Sequence, residues 1–459
     1  MTGKELLKSL DSQKAADLFT GLYGKESIDA ARKRYCRLIE EFLSIGVNKP
    51  GAFPSPDFPE TAGEIRVFSV PGRTELGGNH TDHNQGKVLA GSIQLDAAAV
   101  VAPRQDKKVF FRSVGHPDVK VDISDLSLRE NEKGTTEALI RGVAADFTAQ
   151  GTPVYGFTAN AANEVLTGSG LSSSAAIEIL IAKIFDNLYC GGRRSALDLA
   201  KTGQKAENIY FGKPCGLMDQ TACASGGAVA IDFGDLRNPL VSRIDFDPAA
   251  SGFALCVVNT KGSHADLTPD YAAIPAEMKG AASVFGKSVL RELDEETLMK
   301  KLAEVRKAHG DRAILRAFHF FSENRRVDAM LAELETMNAG NGNRERAMEN
   351  FLSLARESGD SSWELLQNIY SLKNPREQGI GLALALTKNF LIGKNSKDVF
   401  DGSYQGACRV HGGGFAGTIQ AYLPASYLDE YRSLMEGVFG KGTLTVLKIR
   451  SRGAVELEF

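Results

Sequence analysis

In VLTGSGLSSSAA, Val165 to Ala176, the glycines Gly168 and Gly170 stand just before the serines Ser172, Ser173 and Ser174, and the serines open a long apolar stripe. The stripe is SSAAIEILIAKIFDNL, in which Ile177, Leu180, Ile181, Ile184, Phe185 and Leu188 fall on one face of a helix. Glycine lets the backbone approach a ligand where a side chain would block it. The first turn of the helix adds unpaired N–H groups and the positive end of a dipole, which together favour an anion. Three hydroxyls able to reach phosphate oxygens or a metal complete a phosphate cradle. A serine-capped helix after a glycine turn has the same local signature, so the flanking sequence has to decide.

Two other nucleotide motifs fail on spacing. GAASVFGKS, Gly280 to Ser288, has one residue too many between its glycines for a P-loop and reads as a helix end. The loop at Gly168 lacks the third glycine of a dinucleotide-binding turn.

On the N-terminal side, Tyr35, Leu38, Ile39 and Phe42 recur at helical spacing after a cap at Ser27 or Asp29, and predict a helical extension packed on a core. Short β-rich runs follow from Ile65: Val67 to Val70, Ala97 to Ala102 and Val109 to Arg112. On the C-terminal side, AVAIDF (Ala228 to Phe233) and FALCVVN (Phe253 to Asn259) read as strands flanking a domain boundary. Helix formers dominate from Pro275 to Leu386, and a glycine cluster, Gly412 to Gly417, sits among short β-like segments. This uneven alternation predicts an α+β fold of two domains, 1–245 and 246–459, rather than a doubly wound sheet.

Composition narrows the function classes. The chain has 459 residues, 43% apolar and 24% charged, as expected of a folded globular enzyme. Its 54 Lys and Arg against 57 Asp and Glu give a net charge of -3, with no dense basic run, so nucleic acid is not expected as a partner. Six scattered cysteines without CxxC spacing read as buried free thiols. Charges throughout MTGKELLKSLDSQKAADLF exclude a signal peptide there, and no apolar run reaches the length of about 18 that spans a bilayer. The expectation is a cytoplasmic protein without a membrane partner, acting as a monomer.

Three further stretches carry chemistry. PGRTELGGNHTDHNQG, Pro71 to Gly86, packs Arg73, Asn79, His80, Asp82, His83 and Asn84 into a loop too polar for a core and suited to a polyol. Asp82 can accept from two hydroxyls at once, and Arg73 can face a transferred phosphoryl group. AENIYFGKPCGLMDQTACASGG, Ala206 to Gly227, holds Glu207 and Asp219 on either side of a Gly-Lys-Pro turn. Such a pair can divide the work of phosphoryl transfer, one carboxylate holding a magnesium ion and the other accepting a hydroxyl proton. ACRVHGGGFAGTIQAY, Ala407 to Tyr422, suits a tight hairpin or a backbone approaching a ligand.

In this order, the stretches resemble the signature motifs of the GHMP small-molecule kinases, and of the galactokinases among them. PGRTELGGNHTDHN resembles the sugar-binding signature, VLTGSGLSSSAA the phosphate loop, CGLMDQ the segment of the catalytic aspartate and RVHGGGFAGT the C-terminal glycine motif. LYG (Leu22 to Gly24), RGV (Arg141 to Val143) and SENRRV (Ser322 to Val327) extend the resemblance over most of the chain. It implies an N-terminal domain of the ribosomal-protein-S5 domain-2 type, a ferredoxin-like C-terminal domain, and an active site between them. It also implies ATP with Mg2+, and a small sugar phosphorylated at its anomeric hydroxyl, D-galactose first.

Carried over by position, Asp219 is the catalytic carboxylate and Arg73 stabilises the transferring phosphoryl group. Ser174 and Glu207 match metal ligands, and Asn79, His80, Asp82, Gly216 and Tyr271 match sugar-binding positions. Gly168, Gly170, Ser172 and Ser173 line the ATP phosphates. Asn79 stands where galactokinases usually carry the glutamate that faces the C6 hydroxyl, which admits galacturonate as an alternative substrate. A sugar sensor without turnover is the alternative from another class, although the phosphate loop and both carboxylates are intact. Leu166, His83 and Ala416 also depart from the family pattern, as does the stretch Asn368 to Leu386, and the adenine site is placed near Arg104 to Ser113.

Overall fold

Alternation along two neighbouring strands organises the larger of two sheets. The strands are β1 (Arg66–Gly77), β2 (Lys87–Pro103), β3 (Lys108–Ser113), β4 (Val119–Asp122), β5 (Phe157–Asn163), β6 (Ala228–Asp232), β7 (Leu240–Ile244), β8 (Phe253–Asn259), β9 (Ala407–His411), β10 (Thr418–Pro424), β11 (Leu444–Leu447) and β12 (Val455–Glu456). The computed structural model describes residues 2–45, 64–166, 168–263, 267–340, 342–392 and 405–459.

Successive side chains of a strand face opposite ways. Val67, Ala98, Val100 and Ala102 therefore turn to one side of the sheet, where they pack with Phe19, Tyr35, Leu38 and Phe42 of the N-terminal helices. Phe68, Ala97, Ala99 and Val101 turn to the other, against Ile140, Val143 and Phe147 of the helix Thr136–Ala149 and Ile179 and Phe185 of the helix Ser173–Tyr189. Covering both faces explains why β2 reads as an almost unbroken apolar run. Ser27 caps the helix Ile28–Leu43 by position only, because its side chain makes no capping hydrogen bond.

The eight-stranded sheet runs β12-β1-β2-β5-β3-β4, with β6 and β7 attached through β2. The long β2 pairs with β6 over its first residues and with β5 over its last, and β3–β5 is a parallel pair. The four-stranded sheet runs β11-β8-β10-β9 and is antiparallel throughout. Cys256, Val258, Val410 and Ile419 face Leu384, Tyr431 and Met435 on one side of it. Leu255, Val257 and Tyr422 face Phe351 and Leu352 of the helix Arg344–Ser361 on the other, within the same core that lies under the first sheet. β7 ends at Ile244 in the first sheet and β8 begins at Phe253 in the second, but β12 returns to pair with β1.

That return is fixed by Asp96, a fully buried carboxylate. It accepts from Arg34 at 2.6 Å, Tyr23 Oη at 2.7 Å, Arg450 at 3.2 Å and the Ser69 hydroxyl. All six cysteines are free, but only Cys223, Cys256 and Cys408 are buried; Cys36, Cys190 and Cys215 are half-buried, which corrects the expectation of buried thiols. Among the described residues no helix is long and apolar enough to cross a membrane.

Candidate active site

The site starts at an irregularity in β1. Its register against β2 shifts between Pro71 and Arg73 and again between Glu75 and Gly77, and a bulge of this kind re-aims the side chains beside it. The Arg73 amide donates to the Leu171 carbonyl at 3.0 Å, which fastens the phosphate loop to the strand. Gly72 is required for that approach, since a Cβ there would stand 2.7 Å from the Leu171 oxygen.

Arg73 then reaches Asp219, in the first turn of the helix Met218–Ser225. Nε donates to Oδ1 and Nη2 to Oδ2, both at 2.7 Å, a bidentate pair, and Nη1 donates to the Gly170 carbonyl. The Ser172 hydroxyl also donates to Asp219 Oδ2. Ser172 is left-handed at φ 61°, a conformation that non-glycine residues rarely hold outside constrained sites. Arg73 is nearly buried, while the Asp219 side chain is 34% exposed and open to a substrate.

Two cavities meet at this pair. One of about 320 Å³ is lined by Asn79, His80, Asp82, Gly216, Gly412 and Gly413 among others; the second, of about 500 Å³, is lined by Gly168, Gly170, Ser172, Ser173 and Ser174. Arg73, Lys213 and Asp219 line both. Phe111, Pro117, Val119, Leu139 and Ile177 give the second cavity an apolar end suited to a base. Phe111 and Ser113 come from the stretch expected near adenine, whereas Arg104, outside the lining, is clamped to Asp106 at 2.8 and 2.7 Å.

The polar loop of the first cavity is held from behind. Asn79, 1% exposed, donates to Glu75 Oε1 at 2.9 Å and to the Gly412 carbonyl at 2.8 Å, and accepts from Asn368 at 2.8 Å. Asn368 gives the divergent stretch 368–386 a place, buttressing the polar loop through Asn79 and the Gly413 carbonyl. From the helix Asp311–Asn338, His319 Nε2 donates to the Asn79 carbonyl at 2.9 Å and Glu323 accepts from the Gly78 amide at 3.0 Å, so SENRRV is a brace. His80 Nε2 donates to the Gly413 carbonyl at 2.9 Å. Burial, and then the neighbouring His83, lower the His80 pKa to about 4, so the ring is neutral near pH 7. The C-terminal motif lines the first cavity through Gly412 and Gly413 and is tied to the glycine-serine loop and to β1: Thr418 Oγ1 donates to the Ser169 carbonyl at 3.0 Å, and His411 bonds Thr74 Oγ1 at 3.0 Å.

Two expected residues stand back from the cavities. Tyr271 lies beneath the glycine turn, its hydroxyl donating to the Gly414 carbonyl at 2.9 Å and its ring where a Gly413 Cβ would be, 2.6 Å from Cε1. Glu207 sits in the π-helical turn Ala206–Phe211, behind Lys213, whose Nζ is 3.3 Å from Glu207 Oε1. Its other oxygen accepts from Gln220 Nε2 at 2.9 Å, and the same nitrogen donates to Glu178 at 3.0 Å.

Sequence reasoning passed over Glu75, Glu178 and Lys213. Glu75 lines the first cavity and pairs with Arg409 at 2.7 Å. Glu178 is fully buried one helical turn after Ser174, with Oε1 unbonded, and burial followed by the charge of Glu207 pushes its pKa up to about 8. Two buried carboxyls with a serine hydroxyl nearby and an exposed lysine as cover form a donor set that fits a divalent cation of the magnesium class.

Family models match two parts of the chain: GHMP kinases N terminal domain over residues 138–227, and galactokinase galactose-binding signature over residues 57–103, of which 57–63 lie outside the described residues. A galactokinase of Streptomyces coelicolor is 34% identical over 275 residues, 59% of this chain and 69% of its own length. One of Glaesserella parasuis is 29% identical over 389 residues, 83% and 91%. The Lactococcus lactis galactokinase solved with galactose superposes with a TM-score of 0.69 at 23% identity, covering 87% of this chain and 98% of that one. The Methanococcus jannaschii mevalonate kinase follows with a TM-score of 0.56 at 13% identity over 84% and 99%. With a polar loop and a glycine-serine loop converging on one Arg–Asp pair, with the two family models covering Arg73 and Asp219, and with a galactokinase 34% identical over 69% of its length, the chain belongs to the galactokinase family of GHMP kinases.

Proposed function

We propose that the chain transfers the terminal phosphoryl group of ATP to the anomeric hydroxyl of D-galactose, giving galactose 1-phosphate and ADP. The observation that carries this is the sharing of Arg73 and Asp219 by a polar cavity of sugar size and a cavity floored by the phosphate loop. Phosphoryl transfer depends on in-line positioning and on cations around the equatorial oxygens, and this junction provides for both.

Asp219 accepts the proton of the C1 hydroxyl, oriented by its bidentate pair with Arg73 and by Ser172. Arg73 keeps N–H groups beyond those bonded to Asp219 and Gly170, and these face the transferring group. Gly168, Gly170, Ser172 and Ser173 cradle the phosphates. Ser174 and Glu207 would hold Mg2+, which supplies neutralisation of the phosphate charge. His80, Asp82 and Gly216 bind the sugar, Asn79 shapes its site, and Tyr271 acts through the glycine turn.

Galactose is favoured over galacturonate by Glu75. Asn79 removes a charge at its own position, but Glu75 brings an acceptor-only carboxylate to the same wall 2.9 Å away; a C6 hydroxyl can donate to it, whereas a C6 carboxylate has nothing to donate and finds the Arg409 cation already paired with Glu75 at 2.7 Å. The intact catalytic set favours turnover over sensing. An ADP-release assay with Mg2+ATP and either sugar tests this. Galactose is expected to exceed galacturonate at least about 100-fold in kcat/KM, below the roughly 10⁴-fold by which a site built to hydrogen-bond a hydroxyl rejects an analogue that leaves its polar groups unpaired. Preference for galacturonate, or ADP release independent of sugar, refutes it.

A further inference from the structure

Lys213 occupies a position that the family motifs do not assign. With Arg73 and Asp219 it lines both cavities, so it stands at the point of transfer rather than at the far end of either substrate. Its backbone is fixed: the amides of Gly212 and Lys213 both donate to the Glu207 carbonyl, at 2.9 and 3.1 Å, Gly212 is left-handed at φ 82°, and Pro214 restrains the next residue. The side chain is not fixed. It is 64% exposed, and its ammonium is 3.3 Å from Glu207 Oε1, a pairing that solvent weakens.

Arg73 alone adds little net charge at the junction, because Asp219 matches it in a bidentate pair. The transferring phosphoryl group spreads negative charge over three equatorial oxygens and calls for a further cation. Glu207 is 4% exposed at its side chain and lies behind the Lys213 ammonium, so a divalent cation reaching that carboxylate displaces the ammonium by like-charge repulsion. The flexible four-carbon stem of lysine allows the charge to turn from Glu207 into the shared mouth of the cavities.

We propose that Lys213 is a catalytic residue of the transfer step, capping Glu207 until a divalent cation takes that carboxylate and then turning onto the transferring phosphoryl group. This rests on the kinase activity proposed above. A lysine that merely stapled the turn would affect melting temperature and leave turnover unchanged.

The test uses full-length wild type, Lys213→Met and Lys213→Arg. With galactose and saturating Mg2+ATP, Lys213→Met is expected to lose about 100-fold in kcat, the scale of removing one preorganised charge donor, with KM values within about threefold; Lys213→Arg recovers to within about tenfold of wild type. Independently of turnover, Mn2+ titrated in the presence of ADP and followed by electron paramagnetic resonance is expected to bind Lys213→Met at least about threefold tighter, because the competing ammonium is gone. A kcat of Lys213→Met within threefold of wild type, or Mn2+ affinity unchanged or weakened, overturns the proposal. If wild type itself made no sugar phosphate, the activity proposal would fail, and the Mn2+ titration would still decide the fate of the Lys213 cap.

Discussion

Gly216→Ala probes the sugar cavity with one methyl group. Gly216 lines that cavity, and a Cβ built there would stand 2.3 Å from Asp82 Oδ2, a carboxylate only 14% exposed that lines the same wall. Its φ lies outside the left-handed region, so alanine brings no backbone strain. Relief of the clash requires the Asp82 carboxylate to retreat by about 1 Å, enough to break a hydrogen bond of normal length. One hydrogen bond to a charged group contributes about 1.5–3 kcal/mol, so kcat/KM for galactose should fall by roughly 10- to 150-fold. Under the proposed role of Asp82 in holding sugar hydroxyls, and since it lines the first cavity but not the second, the loss should appear in KM, with kcat within about threefold. Steady-state kinetics at saturating Mg2+ATP, with Asp82→Asn alongside, reads the split. A normal KM, or a fall in kcat at unchanged KM, refutes the placement of Asp82 on the sugar.

Asp219→Asn keeps the shape of the Arg73 contact but removes the proton acceptor; kcat should drop about 10²–10⁴-fold while urea unfolding changes little, and turnover near wild type would refute its assignment. Asp96→Ala leaves Arg34 and Arg450 buried without their shared carboxylate and should cost about 3–5 kcal/mol, read as a lower urea midpoint; a loss under about 1 kcal/mol would show that the cluster is not a fold determinant. His80 is depressed to about 4 from an ordinary 6.5, so between those values the unfolded chain binds the extra proton and stability falls as pH falls, by on the order of 3 kcal/mol at most. His319 and His411, also lowered by burial, act in the same direction. His80→Gln should flatten the dependence of urea stability on pH from 7 to 4; an unchanged slope would refute the contribution of His80.

The chemistry-bearing loops were legible because each needs several special residue types in a short span. Arg73, Asp219 and the serines of the phosphate loop do meet, although no sequence spacing states that distance. Lys213 was not legible, because a lysine in a Gly-Lys-Pro turn looks like any solvated turn until two cavities are seen to share it. Glu178 falls at the edge of the apolar stripe, three residues before Ile181 and seven before Phe185, but a single carboxylate there says nothing of its partners until Gln220 and the turn carrying Glu207 are seen packed on it. In the sequence alone Asn79 is only the loss of a charge. Its contact with Glu75, set by the bulged register of β1, restores a carboxylate to the same wall. The pairing of β12 with β1 has no sequence signal for a different reason: two residues of strand have no periodicity to read, and their partner is hundreds of positions away.

That distant pairing bears on how the protein is made. Phe68 and Ser69 meet Glu456 and Val455, and Arg450 completes the charge cluster around Asp96. The last residues of the chain must therefore be made before the first sheet can close, and until then β1 has a free edge and Asp96, although paired with Arg34, lacks its second guanidinium. A fragment of residues 1–245, lacking β12 and Arg450, should therefore unfold at a lower urea concentration than the full chain and accumulate poorly as a stable domain.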